Sequence, residues 1–529
     1  MTRTAADIGR GLAPARPARA IRPGERIHVV GAAGAGASGA ALLADAAGAE
    51  VTGCDAGGAS PYVAALADAG IVVATGHDPA HVAGPRPPDR LAVTKALTAI
   101  DPGHPELEAA RRAGIPREAW QQVVADAAVG RELLAVAGTH GKSTTAGWLV
   151  HVLTAAGADP SAFVGALLGP EITGGTPATA RRGRGPAFVV EADEYAGNFD
   201  PYRPSVAVVT NVDWDHPDVF ADRGAVVDAF ATWLRAAAGG PSPAPATTGA
   251  GAPTLIVNVA DPGVVELLRA VGPGWPGPLL TTAVVDVAGQ RVAGYARGLA
   301  DAYGSAAGPA IVLIGRILTA DPGGTTVELS GRGLFDEPTT VRIAAAGRHN
   351  VANALGVAAA ARTAGVDPEG TVVGLATFRG VGRRLERKGE AGGVVVYDDY
   401  GHHPAAIRAT LAAIRQREPD RRVWAVYEPL TFHRTAALMP EFAEALAEAD
   451  AVAIADIWAG RDPDTSIASA ADLAGAVTAR RPGLEVAAPG SVEATAAWLA
   501  GHVRAGDAVL VMGGGRSYRI GELLLARLG

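Results

Sequence analysis

Gly138, Thr139, His140, Gly141, Lys142, Ser143 and Thr144 follow an apolar run at 133–137 and precede a stretch with Trp148, Leu149, Val152 and Leu153 on one helical face. Glycines let backbone N–H groups approach phosphate oxygens, and a helix starting here aims its positive end at them. Lys142 supplies a point charge to the outer phosphates, and the Ser143 hydroxyl is a ligand for Mg2+. The pattern is G-T-x-G-K-[ST], shorter than the usual loop, which would put a glycine where Val136 stands. The reading is nucleotide binding.

Two acid-rich segments follow in the same unit. A strand expected at 187–190 ends in Glu191, Asp193 and Glu194, and one at 205–210 ends in Asp213, Asp215 and His216. Ligands of open parallel sheets sit beyond the carboxyl ends of strands, and Mg2+ takes one or two carboxylates with phosphate and water. Earlier, a strand at 27–30 runs into a glycine-rich turn containing Gly34, Gly36 and Ser38, and a second strand ends at Asp55. That spacing fits a nucleotide-binding βαβ unit; glycines serving close strand–helix packing fit it equally. Asn350 and Asn353, three apart, share a helix face. They either bond an adenine edge or tie down the helix start.

These groups need elements to position them. A chain of 529 residues is too long for one core, and αβ alternation restarts near 27, near 132 and after 384. The expected architecture is α/β in three domains: Rossmann-like at 23–131, a P-loop ATPase-like parallel sheet at 132–384, and Rossmann-like at 385–529. Residues 1–22 hold several arginines and no apolar core, and read as a disordered tail without a secretory signal. The stretch 236–253 reads as a flexible surface loop, and the short β-like runs at 285–345 attach to no site. A net charge of −8 without a basic run excludes nucleic acid as the expected partner. One cysteine, Cys54, fits a reducing cytosol, and no apolar stretch reaches the ~18 residues of a membrane span.

GTHGKST at 138–144, EADE at 191–194, DH at 215–216, GRHNVANAL at 347–355, FRGVGRR at 378–384 and DDYGHHP at 398–404, in this order, resemble the Mur ligase family. The resemblance spans about 27–528. It implies ATP-dependent amide formation in peptidoglycan precursor synthesis, in the cytoplasm, with ATP and Mg2+. Residues 138–144 would bind the ATP phosphates, with Lys142, Glu191 and His216 catalytic. Ser143, Glu191 and His216 would surround Mg2+, and Asn350, Asn353, Arg384 and Asp399 would reach the nucleotide. Gly34, Gly36, Ser38 and Asp55 would hold a UDP-sugar. Tyr400, His402, His403 and Arg434 would meet the incoming amine, Arg434 binding its carboxylate. The branch implied joins L-alanine to UDP-N-acetylmuramate, as a monomer or homodimer. Tyr195 and Trp214 resemble instead a recycling branch that joins a tripeptide. An inactive ATP-binding regulator, or a nicotinamide oxidoreductase read from the 31–39 turn, are the other classes.

Overall fold

Strand β1 (Arg26–Val30) forms because its apolar residues alternate across a sheet buried on both faces. It lies centrally among β2 (Glu50–Asp55), β3 (Val72–Thr75), β4 (Arg90–Val93) and β5 (Arg117–Ala119), in the order β3-β2-β1-β4-β5. All pairs are parallel, and the order reverses between β1 and β4, where such sheets open a crevice. The structure is a computed structural model that describes residues 3–57, 60–239, 252–286, 289–460, 462 and 464–529.

The second sheet is built from β6 (Glu132–Ala137), β7 (Ser161–Leu168), β8 (Ala178–Arg181), β9 (Ala187–Ala192), β10 (Val206–Val209), β11 (Thr254–Asn258) and β12 (Leu279–Val285). A small ribbon, β13 (Gly304–Ser305) with β14 (Gly308–Pro309), stands apart. Then β15 (Ile311–Asp321), parallel to β12, and β16 (Gly324–Gly331) and β17 (Phe335–Ile343), each antiparallel to the strand before it, extend the sheet, giving the order β17-β16-β15-β12-β11-β10-β6-β9-β7-β8. The runs at 285–345 therefore have a place. Gln416, from the next domain, donates to the Asp321 and Gly324 carbonyls and to Thr325 Oγ1, so this meander carries the C-terminal domain. The third sheet comprises β18 (Glu386–Ala391), β19 (Val394–Asp399), β20 (Arg422–Glu428), β21 (Ala451–Ala455), β22 (Glu485–Gly490) and β23 (Asp507–Gly513). Its order is β18-β19-β23-β20-β21-β22, parallel except at β18.

The amino-terminal segment departs from expectation. Residues 3–22 are pinned rather than disordered. Ile8, in the helix Ala5–Ile8, is fully buried against Tyr195 and Ala196, and its carbonyl accepts from Thr98. Arg16 reaches Glu118 at 2.7 Å and Asp126 at 2.8 Å, while Arg19 reaches Glu25 at 2.6 Å. Buried Arg90 binds the same three acids. Three guanidinium groups thus balance three buried carboxylates; leaving the acids unpaired would cost several kcal/mol, roughly 3–5 for a fully buried pair. An Arg-rich tail looked soluble because its partners lie far away in sequence. Of the loop expected at 236–253, residues 236–239 end the helix Arg223–Gly239 and 240–251 lie outside the described residues.

Candidate active site

Strand β6 runs between β9 and β10, with Val136 beside Glu191 and Ala137 beside Val209. The loop after β6 therefore emerges flanked by both acid-rich strand ends. Gly138 has φ +135°, and a Cβ there would lie 2.1 Å from Thr210 Oγ1, so only glycine fits. Thr210 Oγ1 donates to the His140 carbonyl at 2.7 Å, and the His140 N–H donates to Asn211 Oδ1 at 2.8 Å. Thr139 Oγ1 accepts from the Asp213 N–H at 2.9 Å. Thr210 and Asn211, which shape the loop, escaped the sequence reading; a polar pair closing an apolar strand beside a phosphate loop was the available signal. Thr144 lies in the first turn of the helix Lys142–Ala155.

Lys142 Nζ sits 2.8 Å from Glu194 and 3.4 Å from Asp193. Burial works against its charge, but the two carboxylates win and hold the ammonium above its ordinary range. Ser143 Oγ donates to Glu191 Oε1 at 3.0 Å, and the other Glu191 oxygen accepts from the Gly165 N–H. His216, in the left-handed region at φ +56°, groups with Asp193 and Glu194, their ligand atoms within 4.8 Å, and not with Glu191. The expected trio of Ser143, Glu191 and His216 is thus split into an oxygen pair and an acid–imidazole cluster. Both donor sets fit Mg2+: hydroxyl and carboxylate oxygens dominate, and they lie beside the phosphate loop.

The C-terminal domain faces this end. Arg384 donates to Ser143 Oγ at 2.8 Å and lies over the Tyr400 ring. Asp399 is buried and accepts from the Leu385 and Gly401 N–H groups at 2.7 Å, so it shapes the backbone around Arg384. His403 caps the helix Pro404–Arg417, and its Nε2 bonds the Trp214 carbonyl at 3.1 Å. Burial lowers its pKa to about 4 and drives that of His402 well down, so both rings are neutral. His402 Nδ1 bonds the Tyr400 carbonyl, and its Nε2 lies 3.8 Å from Asp215.

Arg434 lies in the helix Phe432–Ala437 at 2% exposure. Its Nε donates to Asp215 Oδ1 at 2.8 Å and its Nη2 donates to His216 Nδ1 at 3.1 Å. Burial alone would raise the Asp215 pKa, but the guanidinium holds it well below the usual range. Two of the three guanidinium nitrogens therefore serve the central domain, because Asp215 is a buried acid that needs a cation. Only buried Nη1 is left without a hydrogen bond for an incoming carboxylate.

Asn350 Nδ2 donates to the Ala346 carbonyl at 2.7 Å, which ties down the helix Arg348–Thr363. Asn353 Nδ2 donates to Asn350 Oδ1 at 3.2 Å, and both asparagines line the cleft. In the first domain Gly34 caps the helix Ala35–Ala46, and a Cβ on Gly36 would strike the Trp120 ring at 2.1 Å. Ser38 is buried and bonded to the Ala35 carbonyl, and Asp55 accepts from the Ala33 and Gly57 N–H groups. Packing duties thus account for much of this glycine turn. Gly36 nonetheless lines a cavity of ≈ 160 Å3 with Glu191 and Asp193, so the first domain opens onto the acid-rich end.

A cleft of ≈ 1450 Å3 joins all three domains, from Tyr62 through the phosphate loop to Arg384, Tyr400 and Arg434. Among the described residues no helix is long and apolar enough to cross a membrane.

Known proteins share this arrangement. Residues 26–131 match the Mur ligase family catalytic domain, 136–238 the Mur ligase middle domain, and 383–515 the Mur ligase glutamate ligase domain. The UDP-N-acetylmuramate--L-alanine ligase of Frankia casuarinae is 37% identical over 524 residues, 96% of this chain and 98% of that one. The crystal structure of UDP-N-acetylmuramate-alanine ligase from Thermotoga maritima superposes with TM-score 0.70 at 21% identity, covering 95% of this chain and 98% of that one. A murein peptide ligase from Psychrobacter arcticus gives 0.67 at 26% identity, covering 96% and 99%. With three matched domains in order and a near-full-length relative, the chain belongs to the Mur ligase family and is a ligase.

Proposed function

We propose that this ligase joins L-alanine to the carboxylate of UDP-N-acetylmuramate, with ATP split to ADP and phosphate, in the cytoplasm. The observation that carries the reading is Lys142 beside Glu194 and Ser143 beside Glu191, in a cleft shared by all three domains. Residues 23–131 hold the UDP-sugar through Gly34, Gly36, Ser38 and Asp55. Residues 132–384 hold ATP through residues 138–144, Asn350 and Asn353. Arg384, which ends the central domain, reaches the nucleotide, and residues 385–529 bring Asp399, Tyr400, His402 and His403 over ATP and amine.

A carboxylate does not react with an amine unaided. One carboxylate oxygen attacks the γ-phosphorus in line, the bond to the β-phosphate oxygen breaks, and an acyl phosphate and ADP result. Lys142 and the loop N–H groups stabilise the charge spread over the transferring group. The amine then attacks the acyl carbon, phosphate leaves with the acyl–oxygen electron pair, and the amine loses a proton. Mg2+ would be held at the two donor sets, Ser143 with Glu191 and His216 with Asp193 and Glu194, and would neutralise phosphate charge. Arg434, bonded to Asp215 and His216, binds the central and C-terminal domains across the cleft, which keeps water from the acyl phosphate.

Relatives named for L-alanine reach 37–38% identity over nearly the full chain, which supports the single amino acid as the amine. ADP release should be followed with UDP-N-acetylmuramate and L-alanine, glycine or the tripeptide. Turnover is expected to be greatest with L-alanine. Turnover with the tripeptide and none with alanine would reassign the amine and leave the ligase chemistry intact.

A further inference from the structure

The face of the first sheet turned away from the glycine-turn helix carries an unusual set of side chains. On β1, Ile27 and Val29 join the large core, while His28 and Val30 face the other way. There His28 meets Cys54 from β2, His77 and His81 from the segment after β3, and His104 and Glu106 at the helix Pro105–Arg112. Cys54 Sγ lies 3.3 Å from His28 Nε2, 3.2 Å from His77 Nδ1 and 3.2 Å from Glu106 Oε2. His81 Nδ1 lies 2.6 Å from Glu106 Oε1. None of these groups belongs to the ligase cleft.

Hydrogen bonding does not account for the set. The thiol donates to Glu106, and its sulfur is only a weak acceptor for the two imidazole nitrogens that face it. His104 is buried at 5% exposure, its Nδ1 has no partner, and one of its ring nitrogens groups with His77 and Glu106 as a possible ligand set. Its ring meets His77 edge-on at 4.6 Å. One buried carboxylate would be balanced by one cation; four imidazoles and a thiol exceed that need.

Metal binding does account for it. In a tetrahedral zinc site with bonds of about 2.0–2.3 Å, ligand atoms stand roughly 3.3–3.6 Å apart. The sulfur–nitrogen and sulfur–oxygen separations here are within a few tenths of that. His28, Cys54, His81 and Glu106 bring one ligand atom each within 4.8 Å of one another. His28 Nδ1 is engaged by Thr52 Oγ1 at 2.8 Å, which leaves Nε2 facing the sulfur, as an oriented metal ligand requires. The His77 and His81 side chains, 18% and 24% exposed, give an ion a way in.

We propose that His28, Cys54, His81 and Glu106 bind one divalent transition ion, Zn2+ by preference, with His77 and His104 orienting Glu106. Binding exchanges the Cys54 thiol proton for a sulfur–metal bond and releases that proton to solvent. The ion would clamp β1 and β2 just behind the turn that holds Gly34 and the loop that holds Asp55.

Cys54 is the sole cysteine of the chain, and this makes the test specific. Protein freed of metal by chelation is titrated with Co2+, then with Zn2+. The expected result is a thiolate-to-cobalt charge-transfer band that saturates at one equivalent and is abolished by Zn2+, which binds more tightly. The band has no other source, even if the carboxylates of the ligase cleft also take up cobalt. His28→Ala and Glu106→Gln should keep the band but weaken cobalt affinity about tenfold to a hundredfold. Cobalt uptake by the wild type without the thiolate band, or affinities unchanged in both variants, would overturn the proposal. Since the wild-type spectrum decides alone, variants that fail to fold leave the test intact.

Discussion

Ser143 and Glu191 meet because the strand that leads into the phosphate loop and the strand that carries Glu191 are neighbours in one sheet; Asp215 and Arg434 meet across 219 positions and two domains. The first pair is fixed whenever the central sheet folds. The second exists only while the C-terminal domain lies against the phosphate-loop end. One region therefore carries the phosphoryl chemistry and the other the closure that protects it. Arginine at such a seam serves protein first and substrate second, because a buried aspartate leaves its guanidinium little freedom.

The largest expected effect breaks the first region. Lys142→Ala should lower the rate of ADP formation about a thousandfold, ~4 kcal/mol of barrier. It should also lower the melting temperature, since Asp193 and Glu194 then lose their shared cation. Rapid-quench assay of ADP and a thermal melt measure the two; a variant with near-normal turnover would remove Lys142 from the phosphoryl step.

The seam is tested by a double-mutant cycle on Asp215→Ala and Arg434→Ala. A coupling of about 2–3 kcal/mol in urea unfolding is expected for a buried, hydrogen-bonded ion pair. Arg434→Ala should reduce kcat and raise the KM for the amine together, as a closure defect does. A rise in the amine KM alone, with negligible coupling, would restore Arg434 to a purely substrate-binding role.

The same contrast explains what could be read from the chain before its structure. The phosphate loop, its helix and the strands ending at Glu191 and near Thr210 were legible because a βαβ unit is a local pattern: apolar run, glycines, amphipathic helix. The three-domain α/β architecture followed from the same alternation. Arg16 and Arg19 were read as part of a disordered tail, and Arg434 as a ligand of the amine's carboxylate alone, for their partners Glu118, Asp126, Glu25 and Asp215 are remote in sequence. Residues 311–343 stayed unplaced because an edge meander shows its purpose only against Gln416. Ser143, Glu191 and His216, expected around one ion, all line the cleft, but periodicity does not reveal that His216 turns towards Asp193 and Glu194.

That split gives a smaller effect. Glu191→Ala should raise the Mg2+ concentration for half-maximal turnover about tenfold, ~1.4 kcal/mol. His216→Ala should do so less, because its Nδ1 is occupied by Arg434 and part of its role is the seam. Magnesium titrations of ADP release separate them. Equal shifts would join the two donor sets into one site, and no shift in either would make both strand ends ordinary turns.

The smallest effect concerns pH at the seam. His403 is buried, bonds the Trp214 carbonyl through Nε2 and accepts the Ala405 N–H at Nδ1, so its folded form is neutral, with a pKa lowered to about 4 by burial. In the unfolded chain the imidazole takes up a proton near pH 6.5. Between these values the unfolded state binds more protons, so stability is lost as the pH falls from about 6.5 towards 4. By pH 5 this histidine alone should have cost on the order of 1–2 kcal/mol. Buried Asp398 acts in the opposite sense, its pKa raised to about 6 by burial, so the wild-type curve mixes both signs. His403→Gln retains a donor and removes the titration. Urea midpoints at pH 7.5 and pH 5.0 should therefore differ less in the variant than in the wild type. An equal pH difference in both proteins would mean that protonation of His403 does not loosen the seam, and that the acid sensitivity of the closed form lies elsewhere.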